Sequence, residues 1–280
     1  MRDNEATVLV GEKCILVPYR RQHVQRYHEW MADPVLQQQT ASEPLSLEQE
    51  YDMQASWHDD PDKLTFIILA KSPSLDRRGN GGISGTDHAI ASAAPSSPPS
   101  PSGPREGESI DEWLQAWPMC GDVNMFFQPA SDDDAEEAEG HATSASPYLP
   151  TPKLLDAECE LMIADPQYRR HGIGREALLL LLTYARCTPS LSIYRPPPPR
   201  PRTQDLPAQA QTDVRVRFMA KISLANAPSL ALFRSLGFAT VRISDVWAEA
   251  ELHLRDEDVQ TLIRSQLPLN TLMWPVDSCA

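Results

Sequence analysis

At 280 residues and a net charge of −14, the chain is long enough for one large domain or two small ones and too acidic for a general nucleic-acid binder. Its five cysteines (Cys14, Cys120, Cys159, Cys187, Cys279) form no C-x-x-C pair and have no partner histidines at metal spacing, so a reducing compartment and no metal site are expected. No apolar run reaches the roughly 20 residues that cross a bilayer, and Arg2-Asp3-Asn4-Glu5 precede any apolar stretch, so the expectation is a soluble protein without a membrane partner, cytoplasmic with the nucleus left open.

Residues 14–17 read as a strand ended by Pro18, and residues 21–31 as a helix with Val24, Tyr27, His28 and Met31 on one face. Ser46, with Gln49 three residues on, opens the next helix as a capping box. Residues 64–69 form a continuous apolar strand, and 119–127 another around Gly121-Asp122-Val123-Asn124. Glu160-Leu161-Met162-Ile163-Ala164 is a short strand broken by Asp165-Pro166, and a leucine-rich helix starts near Gly174. Residues 214–222 alternate as a strand. The following helix has Asn226 as its cap, Pro228 in its first turn and Gly237 at its close. Residues 238–243 and 246–254 complete the strands, the latter with Val246, Ala248, Ala250, Leu252 and Leu254 on one face and His253 on the solvated one. A short helix over 256–266 follows.

Three segments carry too little apolar surface to offset the entropy of ordering, and are predicted to be disordered insertions: 71–116, 129–153 and 188–212. The first is almost only Ala, Ser, Pro and Gly over 91–104, so deleting that stretch is predicted to cost little stability. The second opens on acidic residues, and the third contains four consecutive prolines at 196–199, read as a stiff spacer. One domain is therefore assembled from 1–70, 117–128, 154–187 and 213–266, with a tail over 267–280.

Between the strand at 160–164 and the leucine-rich helix lies Tyr168-Arg169-Arg170-His171-Gly172-Ile173-Gly174. Glycines let the backbone approach a ligand closely, and a helix N-terminus favours an anion. The loop reads R-x-x-G-x-G and resembles the acyl-CoA pyrophosphate loop of the GNAT acetyltransferases. Residues 226–238, from Asn226 through Ser229, Leu232 and Phe233 to Gly237-Phe238, resemble the second GNAT signature. The segments His28-Glu29-Trp30-Met31, Thr40-Ala41-Ser42-Glu43-Pro44-Leu45 and Gly121-Asp122-Val123-Asn124 are similar to those of N-acetyltransferase 9 proteins. The resemblance covers most of the chain outside the insertions. It implies an α/β (α+β) GNAT fold, with a mixed central sheet, flanking helices and splayed central strands. It also implies acetyl transfer from acetyl-CoA to a protein amine, with tubulin N-termini as the substrate class.

By the same resemblance, the backbone of Met162, Ile163 and Ala164 holds the pantetheine arm, and an N–H near Met162 faces the developing oxyanion. Arg169, Arg170, His171, Gly172, Ile173 and Gly174 hold the pyrophosphate, and Asn226 either caps its helix or bonds the arm. Many GNAT enzymes have a thiolate-protonating tyrosine where this chain has Phe233, which packs against the cofactor arm or the core. Glu158 and Glu160 lie two apart on one strand face, where each can raise the other's pKa, and both are candidates for the base, Glu160 slightly favoured. His28, Tyr51 and His58 belong to the helices that border the acceptor groove in GNAT proteins and are candidate substrate contacts, with helix-face packing the favoured reading for His28 and Tyr51. Small-amine acetylation, or a non-catalytic acyl-CoA-binding scaffold, are the competing readings; Phe233 and the insertions speak for the last.

Overall fold

The computed structural model describes residues 1–71, 99–130, 153–188, 214–255, 258, 261 and 269–274. In chain order these contain β1 (Thr7–Val10), β2 (Cys14–Pro18), α1 (Val24–Met31), α2 (Pro34–Gln39), α3 (Leu47–Asp59) and β3 (Lys63–Ala70). There follow α4 (Ile110–Gln115), β4 (Met119–Pro129), β5 (Lys153–Ile163), α5 (Ile173–Cys187), β6 (Val214–Ser223), α6 (Ala227–Ser235), β7 (Phe238–Ser244), β8 (Glu249–Leu254) and β9 (Asn270–Met273). The strands form one sheet in the order β7-β8-β6-β5-β4-β3-β2-β1-β9. Its β5–β6 pair is parallel and its other pairs are antiparallel.

β2 and β3 are apolar without alternation because both of their faces are covered. Cys14, Leu16, Phe66 and Ile68 pack in the core that includes Leu178, Leu181 and Leu182 of α5. Ile15, Val17, Ile67 and Leu69 join Val24, Tyr27 and Trp30 of α1 on the other side. The leucine run of α5 is thus the main cover of one face, and each fully buried leucine contributes about 1.5–3 kcal/mol. The capping box expected at Ser46 is present: Gln49 N–H donates to Ser46 Oγ at 3.2 Å, and Ser46 N–H to Gln49 Oε1 at 2.8 Å.

Elsewhere the structure corrects the sequence reading. β1, α2 and β9 were not foreseen; β9 pairs with β1, joining residues far apart in the chain. β5 begins at Lys153, earlier than the strand expected over 160–164. β8 begins at Glu249, and Val246 and Trp247 lie exposed in the turn before it. His253 is not solvated: its ring bonds Glu251 Oε1 at 2.8 Å. The segment 71–116 is not unstructured at its C-terminal end. α4 is opened by a Ser109–Glu112 capping box, and Trp113 is fully buried with its Nε1–H on the Ser100 carbonyl at 2.7 Å. One indole buries enough apolar area to order a short segment that composition alone marks as loose. Residues 99–104 of the stretch 91–104 are likewise engaged: Lys71 Nζ donates to the Pro101 carbonyl, and Asn270 Nδ2 to that of Ser102 at 3.3 Å. Residues 72–98, 131–152 and 189–213, and most of the helix expected over 256–266, lie outside the described residues.

Truncating Trp113 removes the anchor of this segment. Trp113→Ala is expected to lose about 3–5 kcal/mol, which equilibrium denaturation measures against the parent.

Candidate functional site

The parallel ladder of β5 with β6 runs from Lys153–Val214 to Glu158–Met219 and stops there. Beyond it β5 continues to Ile163 on β4 alone, and β6 continues to Ser223 on β8 alone. The two strands therefore part, leaving one edge of β5 open over 159–163. Ala164 N–H donates to the Cys120 carbonyl at 2.9 Å. Strand alternation then turns the backbones of Met162 and Glu160 towards β4 as well, and those of Cys159, Leu161 and Ile163 towards the open edge. This corrects the strand assignment: of Met162, Ile163 and Ala164, only Ile163 presents its backbone outward. Leu161, which the sequence reading did not single out for binding, shares that edge.

The glycine loop follows. Gly172 caps α5 with φ at +81°, a conformation that costs an L-residue about 1–2 kcal/mol, and it supplies no side-chain cap. The first N–H groups of α5, at Ile173 and Gly174, thus have no capping side chain and lie at the positive end of the helix dipole. A Cβ at Gly174 would lie 2.9 Å from Leu161 Cδ2, so glycine is what lets α5 start close against β5. Arg170 also has positive φ, at +68°, and is exposed beside the exposed His171. Lys13, in the β1–β2 turn, reaches the loop with its Nζ on the His171 carbonyl at 3.2 Å; nothing in the local sequence marks it. The turn is held there by Glu176 of α5, whose carboxylate accepts the N–H groups of Glu12, Lys13 and Cys14 at 2.7–3.0 Å. Arg169 is spent on the strand end: Nε donates to the Ile163 carbonyl at 2.8 Å and Nη2 to that of Ala164 at 3.0 Å. Uncapped N–H groups, a left-handed glycine and two or three cations suit a phosphate; the open strand edge suits an extended amide-bearing chain.

On the sheet face towards α1 and α3, the fork gathers carboxyl groups. Register places Glu160 opposite Asn124, and Met162 opposite Asp122, so these side chains share one face with Glu158. Glu158 binds Lys221 of β6 at 3.3 Å, across the point where the strands part. Burial raises Glu160 to about 7, and the charges of Glu158 and Asp122 add to the rise. Glu160 is nonetheless exposed, so water and a substrate amine can reach its carboxyl. Asp122 is 2% exposed. Its Oδ2 accepts from Asn124 Nδ2 at 2.8 Å and from Tyr27 OH at 3.5 Å, and burial raises its pKa to about 6. Sequence reasoning used Asp122 only as part of a family motif; its burial and its place beside Glu160 arise from strand pairing.

The remaining candidates separate. Phe233 is 1% exposed and packs its ring against Phe238 at 5.0 Å, so it belongs to the core. Asn226 caps α6, its Oδ1 accepting from Ser229 N–H at 3.2 Å. His28 faces the buried Glu50 at 3.8 Å, and Tyr51 lies under Arg21. His58 is held by Glu5 at 3.1 Å and Asp59 at 3.6 Å. Among the described residues no group of three His, Cys, Asp or Glu could hold a metal ion, and no helix is long and apolar enough to cross a membrane.

No family profile matches the chain. It is 35% identical over 252 residues to an N-acetyltransferase 9-like protein of Nematostella vectensis, covering 90% of this chain and 87% of that one. It is 34% identical over 262 residues to the human alpha/beta-tubulin-N-acetyltransferase 9, covering 91% and 86%. A spermidine N-acetyltransferase from Vibrio cholerae, solved with CoA and spermine, superposes with a TM-score of 0.50 over 89% of this chain and 99% of that one. At 9% identity that likeness speaks for the fold alone, the GNAT fold expected from the sequence.

The raised Asp122 pKa has a consequence for stability. The folded state binds a proton there that the unfolded chain releases near pH 4, so this group's contribution falls as pH rises from about 4 through 6. Asp122→Asn keeps the shape and removes the desolvated charge. Thermal melts from pH 4 to 8 should show the variant gaining on the parent as pH rises, with the difference levelling only once Glu160, raised to about 7 in part by Asp122, has also titrated. The difference is the quantity to read, because His23, lowered to about 4 by burial, gives both proteins an opposite slope.

Proposed function

We propose that this chain, which belongs to the N-acetyltransferase 9 family, transfers an acetyl group from acetyl-CoA to the N-terminal α-amine of a protein, with tubulin the first substrate to test. The family gives N-acetyltransferase activity; the donor, the acceptor and a cytoplasmic site of action are the proposed part. The observation that carries it is the open edge of β5 running from the Glu160 carboxyl to the glycine loop. One continuous stretch offers a proton acceptor, outward backbone groups and an anion site.

The residues fit the donor. Gly172, Ile173 and Gly174 with Arg170, His171 and Lys13 would hold its pyrophosphate, and the outward backbone of Leu161 and the N–H of Ile163, whose carbonyl Arg169 occupies, would pair with its amide-bearing arm. When bound, acetyl-CoA supplies an activated thioester. An outward N–H from Leu161 or Ile163 is also the available donor for the oxyanion; such donors contribute about 3–4 kcal/mol to a transition state. A protein α-amine has a pKa near 8 and is largely protonated at neutral pH. Glu160, at about 7, takes that proton directly or through water as the amine nitrogen bonds the acyl carbon. The C–S bond breaks, and the leaving thiolate takes its proton from water, since Phe233 has none to give.

The deciding measurement is acetyl-CoA turnover with α- and β-tubulin N-terminal peptides beside other N-terminal peptides and a polyamine. Turnover with peptides alone supports the reading; turnover with the polyamine alone moves it to small amines. Glu160→Gln should lower turnover by about 10²–10⁴-fold at pH 7 while sparing acetyl-CoA affinity, the defect shrinking as pH rises and the substrate amine becomes neutral unaided. Glu158→Gln should lose less, because Glu158 is paired with Lys221. Gly172→Glu should abolish acetyl-CoA binding in calorimetric titration while circular dichroism still reports a folded protein.

A further inference from the structure

We infer that Asp122 is a positioning residue for proton transfer: a buried negative charge on β4 that acts through Glu160 and keeps it basic enough to take the amine proton. The inference rests on Glu160 as the base.

Three observations on the placement of Asp122 carry it. Asp122 pairs in register with Met162, one step along the same face from Glu160, and such diagonal neighbours lie roughly 7 Å apart. Next, its carboxyl is only half satisfied. Oδ2 holds Asn124 and Tyr27, whereas Oδ1 is buried with no hydrogen-bond partner among the described residues. An asparagine would fill the same volume without a bare buried charge, so packing does not require the acid. Third, among the described residues no cation is bonded to it. The two nearest Glu160 are engaged elsewhere, Lys63 with Asp60 at 3.4 Å and Lys221 with Glu158 at 3.3 Å.

The groups that face Asp122 are acidic or phenolic, and those that face Glu160 include two lysines. Tyr27 of α1 meets Asp122 directly; Tyr19, just after β2, and Glu50, on α3, lie within electrostatic reach of the same groups. Glu160 is faced by Glu158 on its own strand, Asp122 on β4, Lys221 on β6 and Lys63 on β3. In this setting a second negative charge, itself buried away from screening water, makes Glu160 hold a proton more firmly, which strengthens it as a base near neutral pH. Glu158 acts in the same direction from the fork, but its charge is offset by Lys221.

The test is Asp122→Asn with Glu160 intact. The acid limb of kcat/KM against pH should move to lower pH and its plateau should fall, with acetyl-CoA affinity unchanged. In the same variant, the carboxyl 13C resonance of Glu160, in protein labelled at glutamate, should titrate at lower pH than in the parent. A folded variant with both midpoints unmoved overturns the inference, and so does a fall in kcat with an unmoved limb, which is the mark of a merely structural residue. The parent supplies a second test that needs no variant. Two interacting acids titrate as a pair, so the Glu160 resonance should show a second inflection at the Asp122 midpoint in aspartate-labelled protein. Independent single inflections overturn the inference. Parental turnover in Glu160→Gln would instead remove the base assignment, an outcome read separately from the field of Asp122.

Discussion

The end of the β5–β6 ladder at Glu158–Met219 is the constraint from which the site follows. A parallel ladder satisfies backbone groups on both strands; where it stops, those groups need another partner. On β6 the need is met by β8. On β5 it is met on one side by β4 and left open on the other, except where Arg169 takes the Ile163 carbonyl. Lys221 and Glu158 span the opening at its root, and the bidentate Arg217–Asp156 pair, at 2.7 and 2.9 Å, fastens the strands just before it. The fork is therefore fixed at its base and unsatisfied at its mouth, which suits a strand edge that receives an extended ligand.

The elements around the fork are placed by two independent cores. The leucine face of α5 seats one side of the sheet and brings the glycine loop to the end of β5. The aromatic layer of Tyr19, Tyr27, Trp30 and Trp113 seats the other and closes over Asp122 and Asn124. The first side is apolar and stabilising. The second buries Asp122, Glu50 and His23 at a cost to stability, since desolvation disfavours the charged form of each. Costly polar burial on the face that carries Glu160, and apolar packing opposite, is the division expected when one face of a sheet does chemistry and the other holds the fold.

Much of this was legible in the sequence because the relevant signals are local. The R-x-x-G-x-G loop, the caps at Ser46 and Asn226 and the alternation of 214–222 each depend on residues within a few positions, and the fold class follows from their order. Misreadings came where a distant partner decides. Residues 99–116 look loose by composition, yet Trp113 has a core to enter. Phe233 gives no local sign of its place, and it is Phe238 that receives its ring in the core. Residues 246–248 alternate like a strand but turn, because β6 pairs with β8 no further than Glu249. β9 has no strong pattern of its own and exists by pairing with β1.

The sequence alone determined the order of elements, the glycine loop at the start of α5, and two glutamates on one face of the strand before it. These are properties of neighbours along the chain. Tertiary structure decided which of those groups can act. It turned Leu161 and Ile163, and not Met162, to the open edge, because the pairing of Ala164 with Cys120 sets the direction of every backbone group behind it. It brought Lys13 across to the loop, tied Glu158 to Lys221 and left Glu160 free, and set Asp122 beside it. Strand register fixed each of these, and register is chosen by partners far away in sequence.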